Sequence, residues 1–259
     1  MTEGTEGTQA TDPTPTDDQA HWWSRSIQIG AIMAVALLLI GPLGTKFGIW
    51  PFTIGLMLMM GGAVLAAIGL IGGLWGFMIA RSNGYVADKP LCGIGALLSA
   101  VVLGIMAMLV IPATSVPPIH NISTDTLDPP AFNAIVPLRK GANPLAYDEA
   151  ELGPKQRAAY PEVKTHTTTL GREAALAKSI AVLEAMGLEI VAAPPSGRTV
   201  EATFTSFWFG FKDDLVVRIR DASGGAGSLI DVRSVSRVGQ SDLGANAARI
   251  KEFLARFDG

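Results

Sequence analysis

Three apolar runs without one charged side chain fill most of the first half of this chain, and they restrict its fold more than any other feature. Twenty uncharged residues separate Arg25 from Lys46, with 29–40 the densest part; residues 47–80 add 34 more, and 91–111 form the third run. A hydrocarbon core about 30 Å thick is crossed by about 20 apolar residues in a helix. Three consecutive runs of this kind predict three transmembrane helices rather than buried helices of a soluble domain. Gly41, Pro42 and Gly44 are expected to close the first, and Lys46, Trp50 and Pro51 to turn the chain at the far interface. The second, over 52–80, is longer than the bilayer needs and should tilt. A polar connection from Arg81 to Pro90 leads to the third, ended by Pro112. His21, Trp22, Trp23 and Arg25 precede the first run as an aromatic and basic interfacial anchor.

No acidic or basic side chain is expected inside a span, so a proton relay or ion path at membrane depth finds no support. The second span is rich in glycine, and Gly69 with Gly73 forms a small-xxx-small pair suited to close packing within the bundle, in preference to homodimerisation. Lys and Arg in the short flanks number three on the amino-terminal side (Arg25, Arg81, Lys89) against Lys46 on the other. This bias predicts a cytoplasmic amino terminus and, after three crossings, a periplasmic carboxy-terminal domain in the cytoplasmic (inner) membrane.

Composition narrows the function classes. Of 259 residues 49% are apolar and only 17% charged, against about 25% in a usual soluble domain. A net charge of −3 lacks the basic excess a nucleic-acid binder needs. The single cysteine, Cys92, excludes an intramolecular disulfide or a CxxC site and reads as a small apolar residue. Residues 1–24 form an acidic tail; the first 20 carry five acidic and no basic residues and are expected to be disordered, with no basic n-region of a signal peptide. The membrane segment covers 25–113, a Pro-rich extended wrap 114–160, and an α+β domain 161–259. With seven prolines, and Pro161 directly after it, the wrap is expected to be ordered but irregular, since proline at that density stops helices from propagating.

Beyond the wrap the periodicity is clear. Residues 172–186 read as a helix stopped by Gly187, 188–193 as a strand, then a turn at 194–197. Residues 199–205, 215–220 and 229–236 alternate as strands, the last two separated by a Gly-rich turn at 223–228. Residues 242–257 close as an amphipathic helix with Ser241 at its N-cap. With one more strand in 163–170, the expectation is an antiparallel sheet of four to five strands with two helices on one face.

The stretch PPIHNISTD at 117–125, then Pro129, Pro130 and Phe132, then Glu201, Ala202 and Thr203, then Gly210, Phe211, Lys212, Asp213 and Asp214, and finally VRSVSRVGQSDLGANAARI at 232–250 resemble the bacterial and plastid family catalogued as domain of unknown function 1499. The resemblance covers 117–257 and excludes the membrane segment. It departs at Asn121, where an acidic residue is expected after the histidine. It implies fold kinship and no particular reaction.

Candidate site residues follow from the alternation. If Val200, Ala202, Phe204, Leu215, Val217, Ile219, Ile230 and Val232 face the helices, the opposite face gathers Glu201, Thr203, Thr205, Asp214, Arg218, Arg220, Asp231 and Arg233. This would be an open face of cross-strand ion pairs, or one on which Arg218 and Arg233 present forks for an anionic ligand. Arg237, Asp242 and Asn246 run from a strand end into a helix start, where an anion could sit, although Asp242 fills that role itself. His120 near Asp125 is a candidate acid–base pair without a recognisable nucleophile; His166 reads as structural. No metal site and no cofactor are expected. Phe204, Phe207, Trp208, Phe209 and Phe211 form an aromatic cluster for turn packing, a bilayer surface or a partner.

Taken together, the sequence predicts a membrane-anchored envelope protein whose outer domain binds a protein partner or an anionic small ligand. The competing readings are a lipid- or glycan-modifying enzyme using His120, Asp125, Arg233 and Arg237 in one pocket, and a structural subunit of a membrane complex.

Overall fold

The computed structural model describes residues 19–194, 197–222 and 226–259. The expected disorder before residue 19, and parts of the turns at 194–197 and 223–228, lie outside the described residues. The chain divides into two compact units: one takes in the helices up to Pro42 together with Thr53–Met106, the other joins Leu43–Phe52 to Ala107–Gly259.

Three helices, α1 (Trp22–Lys46), α2 (Phe52–Ser82) and α3 (Asp88–Ala113), are long and apolar enough to cross a membrane. Contrary to expectation, α1 runs through Gly41, Pro42 and Gly44 to Lys46. An interior proline removes one backbone bond, whereas ending the helix in an apolar setting would leave several groups unpaired. Glycines bring the backbones together: a Cβ on Gly41 would lie 2.6 Å from the Gly55 carbonyl oxygen, and one on Gly73 would lie 2.8 Å from the Ala96 nitrogen and 2.9 Å from the Cys92 oxygen. The Gly69–Gly73 pair thus packs within the bundle. Gly73→Val is expected to destabilise the full chain in detergent by about 3 kcal/mol or more, at or beyond the top of the overpacking range, because backbone cannot yield. Gly61→Ala, with open space around it, should leave the thermal midpoint unchanged; equal midpoints for the two variants would refute this packing.

The three helices carry charged groups near their ends, Arg25 and Lys46 in α1, Arg81 in α2, and Asp88 and Lys89 in α3. Asp88, expected in the polar connection, is the first residue of α3 and is buried. Its carboxylate accepts from the His21 backbone N–H (2.8 Å) and Ser24 Oγ (2.5 Å) and lies 2.6 Å from His21 Nδ1. At a helix N-terminus a carboxylate also meets the positive end of the dipole.

In the second unit an antiparallel sheet is built from β1 (Asn121–Ser123), β2 (His166–Thr168), β3 (Glu189–Ala192), β4 (Thr199–Thr205), β5 (Lys212–Asp221) and β6 (Ser228–Ser236), in the order β1-β6-β5-β4-β3 with β2 also on β6. Val200 pairs with Val217, and Val217 with Val232, so the expected apolar set shares one face. Helices α5 (Arg172–Ala185) and α6 (Ala245–Asp258) cover it, packing Leu176, Leu183, Ile250, Phe253 and Phe257 onto Val200, Leu215, Val217 and Ile230. The sixth strand is β1, in the Pro-rich stretch.

That stretch is more regular than expected. It holds a 3-10 turn, Val136–Leu138, and an eleven-residue helix, α4 (Glu149–Ala159), with Pro154 inside. Asp148 starts α4 by accepting from the Ala150 and Glu151 N–H groups at 3.0 and 3.2 Å, and Pro154 forfeits only one bond. Gln156, buried on α4, grips β1 like another strand: its Nε2 donates to the Ser123 carbonyl (2.6 Å) and its Oε1 accepts from the Ser123 N–H (3.0 Å).

Helix α6 starts three residues later than expected. Leu243 (φ 57°) and Gly244 (φ 84°) turn through the left-handed region, so Ser241 is not its N-cap and accepts instead from the Leu243 N–H at 3.2 Å.

Candidate functional site

The polar face of the sheet has the membership the alternation predicts, but it is closed rather than open. Asp214 and Asp231 are 0% exposed, Glu201 3% and Arg233 5%. The Pro-rich stretch folds over them, seating Phe132 and Ile135 against Val216 and Val235. Each charged group must therefore find its partner inside the protein.

Asp214 on β5 is the most heavily bonded. Arg237 grips it with two bonds, Nε to Oδ2 at 2.9 Å and Nη2 to Oδ1 at 2.8 Å; Thr203 Oγ1 donates at 2.8 Å, and Arg139 Nη1 completes the set. Burial by itself would raise the Asp214 carboxyl, but the bonds from Arg237, Thr203 and Arg139 outweigh it and hold the group below the usual carboxylate range. Asp231 on β6 accepts from Arg218 Nη2 (3.1 Å) and Thr165 Oγ1 (2.6 Å), with Arg220 Nη2 at 2.7 Å. Arg218 also meets Asp125 (3.5 Å) and Asp128 (2.8 Å).

Glu201 and Arg233 have no ionic partner among the described residues. The Glu201 carboxylate accepts from the backbone N–H groups of Asn133 (2.8 Å), Ala134 (3.1 Å) and Ile135 (2.9 Å), at the head of the 3-10 turn. Arg233 donates through Nε to Asn121 Oδ1 (3.1 Å), through Nη1 to the Pro130 carbonyl (3.0 Å) and through Nη2 to the Leu145 carbonyl, between the rings of Phe132 and Tyr147. Burial pulls its guanidinium down to about 10 and pushes the Tyr147 hydroxyl up to about 12. The forks of Arg218 and Arg233 are thus occupied within the protein: of the two readings, Arg218 follows the ion-pair one, and Arg233 is held by neutral acceptors instead of a carboxylate. Asn121, the departure from the family pattern, is a partner of that buried arginine.

At the strand-to-helix turn, Asp242 accepts from the Gly244 and Asn246 N–H groups, both at 2.8 Å, so the carboxylate fills the position an anion would take. Burial raises this carboxyl above its usual range. Asn246, fully buried, accepts from Ser234 Oγ (2.6 Å) and Arg249 Nη1 (2.7 Å) and donates to the His120 carbonyl and to Ser236 Oγ, both at 2.9 Å. Arg249 also donates to Asp213 at 2.9 Å.

His120 and Asp125 do not pair. His120 Nδ1 lies 3.3 Å from the Gln240 carbonyl, and Asp125 turns to Arg218 and Arg220. His120, Asp125, Arg233 and Arg237 thus belong to four separate sets of bonds. His120 borders a shallow cavity of about 350 Å³ whose walls include Pro118, Pro144, Ala146, Leu152 and Gln240, with Asp148 and Glu151 at hand. No group of three or more His, Cys, Asp or Glu suited to a metal occurs among the described residues. His166 lies 3.0 Å from Asp258, edge-on to Phe257, a structural setting.

Sequence reasoning missed Arg139, Asp128, Thr165 and Gln156, which complete these networks from the Pro-rich stretch and its flank. Nothing in their local pattern marks them. Arg249 did carry a signal, as part of the string at 232–250.

The profile of a family described as a protein of unknown function, DUF1499, matches residues 121–257, more than half of the chain. No curated protein matches it.

Proposed function

The chain belongs to the DUF1499 family, and on that premise we propose that it is a membrane-anchored binding module of a cell envelope, its α+β domain carried outside the cytoplasmic membrane to dock a protein partner. The observation that carries this reading is the saturation of the polar sheet face. Asp214, Asp231, Glu201 and Arg233 are consumed by internal bonds, which makes that face a rigid scaffold rather than a reactive surface. The open feature nearby is the cavity beside His120, whose Nε2 makes no hydrogen bond among the described residues. Proline and aliphatic walls with an imidazole suit an extended polypeptide that donates hydrogen bonds, while the two carboxylates at the rim are already engaged, Asp148 by the start of α4 and Glu151 by Lys155. They do not suit an anion.

The flank charges support an inward amino terminus. A reporter active only in the periplasm, fused after Gly259, should give signal; silence there with signal from a fusion within 82–88 would overturn the orientation. For the docking role, a photo-crosslinking amino acid at Leu152 in intact cells should yield one discrete protein adduct, absent from the same probe at Ala177. His120→Ala should remove it while the unfolding free energy stays within about 0.5 kcal/mol of the parent, as for a surface substitution. No adduct at Leu152, or one indifferent to His120→Ala, would reject the reading.

A further inference from the structure

The β4–β5 hairpin and the turn between α1 and α2 come together within the second unit. At the hairpin apex Phe207 and Trp208 are 70% and 50% exposed, ring to ring at 5.2 Å in an edge-on arrangement. Beneath them Phe209 and Phe211 stack at 4.7 Å. The inter-helix turn packs onto this base: the Phe52 ring meets Phe211 edge-on at 6.0 Å, and Lys46 Nζ stands 4.5 Å from the centre of the Phe207 ring. Gly210 (φ +67°) lets the backbones approach, since a Cβ there would lie 3.3 Å from the Lys46 Cα. Phe47 and Ile49 of the turn are exposed as well.

We infer that the Phe207–Trp208 tip inserts into the headgroup–acyl boundary of the bilayer, on the leaflet that holds the α1–α2 turn, so that the hairpin is a second, interfacial anchor. Covalent continuity identifies the occupant. Lys46 ends α1 and Phe52 begins α2, both helices of membrane-crossing length, so the turn between them lies at a membrane surface, and the hairpin packed on it shares that level. The chemistry agrees. Aromatic rings with lysines beside them are the side chains that favour the interface, the ring partly among acyl chains and the ammonium among phosphates. Lys46 and Lys212 supply cations at the patch, while the nearby carboxylates of Asp213 and Asp214 are turned to Arg249, Arg139 and Arg237. Neither of these two carboxylates is left free to oppose an anionic leaflet there. An apolar tip of this size left in water would be a large exposed patch beside a bilayer able to cover it. This anchor is independent of the cavity at His120.

The test uses the full chain, with Cys92→Ala as background, reconstituted into vesicles of phosphatidylethanolamine and phosphatidylglycerol. Nitroxide labels are placed singly by Phe207→Cys, Trp208→Cys and, as a control on α5, Ala177→Cys. Collision with lipid-soluble oxygen and with a water-soluble nickel chelate is read by electron paramagnetic resonance. The expected result is high oxygen and low nickel accessibility at 207 and 208, with the reverse at 177. Unlabelled Phe207→Ala should keep the parent thermal midpoint, which separates anchoring from folding. Labels at 207 and 208 as open to nickel as the label at 177 would overturn the inference. So would labels that are aqueous in vesicles but immobilised in native membranes, an outcome that assigns the patch to a protein.

Discussion

Replacing Asp214 by asparagine is expected to destabilise the α+β unit by about 3–5 kcal/mol, the cost of stripping one partner from a buried ionic set. The carboxylate is fully buried and answers two arginines, Arg139 and Arg237. Asparagine keeps the shape and one acceptor oxygen but leaves the two guanidinium charges facing each other without compensation. Unfolding of the full chain in detergent, followed by fluorescence, measures the effect. Asp221→Asn is the comparator, because its pairs with Arg172 and Arg198 are exposed and worth no more than about 1 kcal/mol. Equal losses for the two variants would remove Asp214 from its central place. The pH profile gives an independent check. A folded-state value below the unfolded one means a stabilisation fully present above the unfolded value and lost as pH falls through the folded one. The parent should therefore lose stability below about pH 4, where free carboxylates begin to protonate, and Asp214→Asn should lose less over the same window.

Glu201 gives the second large effect, with a graded pair of variants. In Glu201→Gln the amide oxygen can still take the Asn133 and Ala134 N–H groups, which share one oxygen in the parent, but its NH₂ now confronts the Ile135 N–H. Losing one charged hydrogen bond of this kind costs about 1.5–3 kcal/mol. Glu201→Ala leaves three donors unanswered under the fold, each costing about 1–3 kcal/mol, and should fall in total to or beyond the Asp214 loss. Because the carboxylate pins the stretch that covers the sheet, both variants should also speed tryptic cleavage after exposed Lys140, the alanine more than the glutamine. Stability lost with no change at Lys140 would show that Glu201 supports the sheet without holding the cover.

The two candidate regions differed in how far they could be read from the chain. The string at 232–250 contains Arg233, Ser234, Ser236, Arg237, Asp242, Asn246 and Arg249, and each of them makes an internal bond in the folded domain. The residues that carry the family resemblance there are structural ties. Their chemistry alone, guanidiniums and carboxylates at a strand end, looks the same whether it meets a ligand or the protein itself. His120 and Asp125 illustrate the reverse error. Five residues apart in sequence, they turn to Gln240 and to Arg218 respectively, because β1 carries them past different neighbours.

What the sequence determined by itself was local. Charge-free length set the three helices long and apolar enough to cross a membrane, since burial in hydrocarbon depends on a run of residues and not on its neighbours. Period-two alternation sorted Val200, Leu215, Val217 and Ile230 from Glu201, Asp214, Arg218 and Asp231, since a strand projects successive side chains to opposite faces. Only the tertiary structure decided that the polar face is covered and its charges spent. That outcome rests on contacts between Glu201 and residues 133–135, and between Arg233 and Asn121, Pro130 and Leu145, at sequence separations from 66 to 112. Where a proline-rich segment returns over a sheet is settled by the closure of long loops against the burial of Phe132 and Ile135. No periodicity records that balance, because it belongs to pairs of segments and not to either one.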